Sequence, residues 1–127
     1  MTAPVSYNAR VRQRFAEPQH AGDLEGRFDD TLTACASASD QGARVQLTVG
    51  LEDGLIGAAT FRAWGCPHLI AAADLVCERL PGKSVQSLEN VDLAHITEQL
   101  CIPVEKAGRI LLIEDALAML GAQDSNR

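Results

Sequence analysis

Three stretches in the first half of the chain alternate apolar and polar residues with a period of two; the second half switches to spacings of three and four. Residues 26–36 carry Phe28, Leu32 and Ala34 on one side against Thr31, Thr33 and Cys35 on the other. Residues 43–51 set Val45, Leu47 and Val49 against Arg44, Gln46 and Thr48, and residues 55–64 end with Phe61 and Ala63 against Thr60, Arg62 and Trp64. Each reads as a strand with one face in a core. Glu52-Asp-Gly54 is a hairpin signal, whereas the small polar run from Cys35 to Gly42 predicts a mobile loop.

Helical patterns flank these strands. Ser6 is placed to cap a short helix through Phe15, with Val11 and Phe15 inward, and Glu17-Pro18 ends it. Residues 67–80 form a helix that stops at Pro81-Gly82, Ser84 caps a short turn, and Asn90 or Asp92 starts a helix to about Leu100. After Cys101-Ile-Pro103 the longest helix runs from Val104 to Leu120, with Ile110, Leu111, Ile113, Leu117 and Leu120 as its apolar face, Gly121 as its stop and a frayed tail beyond. The order predicts an α+β fold: a three-stranded antiparallel meander with helices packed on one face, in a single domain over residues 1–127.

The strand–helix junction at Cys66 is where chemistry is expected. Gly65 permits a sharp turn and Pro67 suits the first helical position, so Cys66 falls at the helix N-cap. The positive end of a helix favours a thiolate, the form that metals and electrophiles require. His68, in the first turn of that helix, can reach the same site, or pack as an ordinary helix residue. Cys35 also falls where a strand gives way to a turn. Cys77 sits amid Leu75, Val76 and Leu80 as a core residue, and Cys101 reads as packing; His20 and His95 read as solvated.

Composition narrows the function classes. There are 11 Lys and Arg against 17 Asp and Glu, a net charge of −6, which argues against non-specific nucleic-acid binding. No apolar run approaches the length of a membrane span, and Met1 to Tyr7 lacks the features of a secretion signal, so a cytoplasmic protein is expected. In that compartment four cysteines without Cys-x-x-Cys spacing are core or chemistry rather than a disulfide framework.

Four passages together resemble the U-type iron–sulfur cluster scaffold family, which includes IscU, the N-terminal domain of NifU and SufU. They are Tyr7 through Phe15-Ala-Glu-Pro-Gln-His-Ala-Gly22, Phe61-Arg-Ala-Trp-Gly-Cys66, Leu80-Pro-Gly-Lys-Ser84, and Ile102-Pro103 with Ile110-Leu-Leu-Ile-Glu-Asp-Ala-Leu117. The resemblance implies a scaffold or carrier that binds iron or a 2Fe–2S cluster, with zinc able to take the same ligands. It also implies partners: a cysteine desulfurase, other assembly proteins and a chaperone that reads the segment at Ile102-Pro103. Cys66 matches the family's second ligand cysteine and Cys35 is the candidate for the first. The family's aspartate falls on Ser37, leaving Asp40 as a substitute, and its last His-Cys pair falls on Gly108-Arg109.

A 2Fe–2S cluster needs four protein ligand positions. Beyond Cys35 and Cys66 they must come from Asp40, His68, an outside thiol or a second subunit in a homodimer. Arg109, in place of a ligand, is expected to point toward Cys66 and hold an anionic thiolate or cluster by charge, or else to be a solvated helix charge. Three functions compete: a cluster scaffold that turns over no substrate, a metal-free module that binds a desulfurase, and a sulfur-transfer protein whose Cys66 accepts a persulfide.

Overall fold

The computed structural model describes residues 8–24, 26 and 28–125. Three strands, β1 (Asp30–Ala38), β2 (Ala43–Glu52) and β3 (Leu55–Trp64), form an antiparallel sheet in the order β1-β2-β3. Four helices accompany it: α1 (Ala9–Ala16), α2 (Pro67–Arg79), α3 (Leu93–Gln99) and α4 (Ala107–Ser125), with short 3-10 turns at Val85–Asn90 and Val104–Lys106. This is the α+β meander that the alternation predicts.

Register follows from burial. Val45, Leu47 and Val49 of β2 are completely buried, as are Leu69, Ala71, Ala72 and Ala73 of α2 packed in the same core. Burying one such valine or leucine is worth about 1.5–3 kcal/mol, and a one-residue slip of β2 would turn all three of its core side chains outward. The β2–β3 turn holds Asp53 and Gly54 at φ +54 and +80, the paired positive angles of a tight hairpin. α2 is buried on nearly every side from His68 to Cys77, as a helix at the centre of a fold must be.

Several boundaries differ from the sequence expectation. Ser6 lies outside the described residues; the helix that follows is capped by Asn8, whose side-chain oxygen accepts from Arg10 and Val11 N–H, and Phe15 is exposed rather than inward. The first strand starts at Asp30, and the Phe28 ring before it lies over Gly50 and Gly57 of the sheet. A Cβ on Gly50 would sit 2.4 Å from that ring and one on Gly57 3.0 Å, so bare backbone at both positions makes room for it.

The expected loop after Cys35 is a strand. β1 continues to Ala38, pairing Cys35 with Gln46 and Ser37 with Arg44, and only Ser39–Gln41 turn. Composition suggested a loop, but Ala34 and Ala36 keep facing the core while Cys35 and Ser37 face away, and the period of two prevails. In α4, Ile110, Ile113, Leu117 and Leu120 are buried as expected, Leu112 and Ala116 join them, and Leu111 alone of the expected face is exposed. Gly121 does not end this helix, nor does the described tail fray: the Gln123 side chain donates to Thr33 O on β1, tying the last turn to the sheet. Cys101 is exposed at φ +51, not packed.

Candidate functional site

Gly65 and Pro67 set the position of Cys66. Gly65 has φ +149, a conformation that side chains avoid, and a Cβ there would lie 3.1 Å from Leu69 Cδ2 and 3.6 Å from Ala43 Cβ. The chain therefore leaves β3 by folding tightly onto the start of β2 and enters α2 at once, with Cys66 as N-cap and Pro67 in the first turn. Cys66 O accepts from Leu69 N–H at 3.0 Å and Ile70 N–H at 3.3 Å.

The sulfur sits half-buried against the edge of the core. Burial pushes the Cys66 thiol up, but it is outweighed by what faces the sulfur: Leu69 N–H, the Arg109 guanidinium, His68 N–H and the positive charge of Arg109, so the pKa lies below that of an ordinary cysteine. No side-chain cap bond is closed on the neutral thiol, so these donors act by favouring the anion. Arg109 comes from the first turn of α4, which the Val104–Lys106 turn brings alongside.

His68, in the first turn of α2, is 4% exposed. Burial, then the charges of Lys106 and Arg109, hold its pKa below that of a free imidazole, with Glu105 opposing them. The result is one cysteine whose environment favours the thiolate, one imidazole whose environment favours the neutral form, and two cations, Lys106 and Arg109, from a single turn of chain.

Cys35 does not join this group. It faces away from the core on β1, where it accepts a hydrogen bond from Arg44 Nε at 3.1 Å, and the Arg44 guanidinium lies 5.2 Å from the centre of the Trp64 ring. Asp40 is exposed in the turn between β1 and β2; that turn leads into Ala43, which is packed against Gly65, so Asp40 belongs to the same end of the sheet as Cys66. Among the described residues no three His, Cys, Asp or Glu side chains come together to hold a metal ion. Cys77 is completely buried, and burial together with the charge of Asp74 pushes its thiol well up, away from reactivity. Lys106 is the contributor that sequence reasoning missed; its position one turn before Arg109 was the available signal.

Comparison with known proteins adds ancestry to this geometry. The chain is 29% identical over 114 residues to the iron–sulfur cluster assembly scaffold protein IscU of Haemophilus influenzae, covering 89% of this chain and 90% of that one. It is 30% identical over 115 residues to IscU of Azotobacter vinelandii, covering 89% of each chain. Among solved structures, the N-terminal part of a NifU-like protein from Brucella abortus superposes with a TM-score of 0.69 over 94% of each chain at 16% identity, a likeness of fold. Residues 6–123 match the NifU-like N-terminal domain, and the chain belongs to that family.

Proposed function

We propose that this protein serves iron–sulfur cluster assembly as a scaffold, turning over no substrate of its own, with Cys66 as the thiolate that receives sulfur or ligates iron. The observation that carries this reading is the convergence of the α2 N-terminus and Arg109 on the Cys66 sulfur. The curated relatives are named as cluster assembly scaffolds, and the family match spans residues 6–123. Partners of the same pathway, a cysteine desulfurase first among them, and a cytoplasmic setting accompany the reading. No helix among the described residues is long and apolar enough to cross a membrane.

The described residues do not by themselves fit a 2Fe–2S cluster. Cys35 is on the far face of the sheet from the core against which Cys66 packs, and Arg109 and Lys106 are cations rather than ligands. We therefore place the missing ligands outside one chain, on a second copy or an external thiol, with Asp40 as the carboxylate best situated to add one from the same chain. The cations suit an anionic thiolate or cargo.

Iron content and visible absorbance of protein purified and reconstituted without oxygen test the proposal. Binding that Cys66→Ser abolishes and Cys35→Ser leaves intact supports it; binding that survives Cys66→Ser overturns it. The absence of a three-ligand group among the described residues favours one alternative, a metal-free module that docks on the assembly machinery. That alternative predicts no iron in any variant. Persulfide acceptance by Cys66 without iron, read as a mass gain of one sulfur after incubation with a desulfurase and cysteine, would mark a sulfur-transfer role.

A further inference from the structure

We infer that residues 8–22 form a strap, clasped over the edge of β3 by the buried carboxylate of Asp74, and that releasing the clasp uncovers that edge. Asp74 lies in the middle of α2 and is completely buried. Its Oδ2 accepts from Arg14 Nη1 at 2.9 Å, and its Oδ1 accepts from the His20 backbone N–H at 2.9 Å. Both partners belong to the N-terminal segment, and Arg14 also donates to Glu78 Oε2 at 3.0 Å.

With the clasp shut, His20 and Gly22 pair with β3. Phe61 N–H donates to His20 O and Gly22 N–H donates to Phe61 O, each at 2.9 Å, and Ala21 runs parallel to Phe61. The strap thus occupies backbone groups that an edge strand otherwise leaves open. Further along β3, Ile56 is covered separately by Gly82 and Lys83.

Apolar burial holds the strap thinly. Val11 is the one buried side chain of α1, whose other residues include Arg10, Arg12 and Arg14. Other links are polar: Asn8 Nδ2 to Gln99 O at 3.3 Å, and an exposed pair between Arg62 and Asp23 just past the strap. A carboxylate at full burial is tolerable only while paired, so Asp74 has two satisfactory states: shut on Arg14 and His20, or open and hydrated. Removing one partner favours the open state. A hinge is at hand where Glu17, at φ −137, and Pro18 break the helix. Opening bares the Phe61 N–H and C=O on the strand that leads into Cys66.

Hydrogen exchange on the full chain tests this, with a readout independent of Cys66 chemistry. In Asp74→Asn, the amides of Gly22 and Phe61 and of α1 are expected to exchange at least tenfold faster, while those of Val45, Leu47 and Val49 keep their wild-type rates. Arg14→Gln, which leaves the His20 bond to Asp74 in place, is expected to act in the same direction and carries the test if Asp74→Asn does not fold. Faster exchange at all these amides together would make Asp74 a part of the global core, and unchanged exchange at Gly22 and Phe61 would leave no clasp. Either result overturns the inference.

Discussion

Cys35 and Cys66 each have an arginine beside them, yet the structure gives them different work. Cys35 stands in mid-strand, its backbone engaged in the ladder with β2, and meets Arg44 through one side-chain bond on an open sheet face. Cys66 stands at a chain reversal, where the main chain itself turns N–H groups toward the sulfur and Arg109 adds charge from a second element. A guanidinium is thus insufficient to define the site. Backbone donors converge at the start of a helix, and Cys66 stands at such a point.

The largest test of that difference is loss of the thiols in turn. Cys66→Ser is expected to remove all iron retention and all persulfide loading, and Cys35→Ser to leave both within error of wild type. Equal losses from the two substitutions would put Cys35 back into a shared site.

Gly65→Ala comes next. At φ +149, with Leu69 Cδ2 3.1 Å from the new Cβ, it is expected to cost about 1–3 kcal/mol in urea unfolding. It should slow alkylation of Cys66 without affecting that of Cys35. A substitution that left stability and Cys66 reactivity unchanged would show that the tight turn is not what aims the sulfur.

A smaller effect belongs to His68. Its folded-state pKa is depressed, chiefly by burial, so the unfolded chain takes up a proton at higher pH than the folded one. Its contribution to stability is present above the unfolded value of about 6.5 and is lost as pH falls through the lower folded pKa. Unfolding midpoints in urea should therefore fall between pH 7 and pH 5, and the slope should be shallower in His68→Gln. Identical slopes would assign the acid sensitivity to other groups.

The sheet was legible because its core positions are large and strictly alternate: Val45, Leu47 and Val49 admit one register. Cys66 was legible too, since Gly65 and Pro67 announce a strand-to-helix turn in local chemistry. The end of β1 was not. Ala34, Ala36 and Ala38 alternate with Cys35 and Ser37, and side chains this small weaken the contrast between faces that marks a strand. That error put Cys35 in a loop instead of on a polar sheet face. Asp74 was missed for a different reason: its partners Arg14 and His20 are remote in sequence, and nothing local in Ala-Asp-Leu tells of a buried carboxylate.

The central claim is that Arg109 and the α2 N-terminus make Cys66 the thiolate of this molecule. Alkylation rates of Cys66 and Cys35, followed in the same sample by mass spectrometry from pH 5 to 10, test it most directly. For wild type, the Cys66 rate should plateau with a midpoint below that of an ordinary thiol. Arg109→Ala should move that midpoint upward by a measurable fraction of a pH unit and leave the Cys35 profile where it was. A Cys66 midpoint at or above the ordinary value, or one indifferent to Arg109→Ala, would contradict the account.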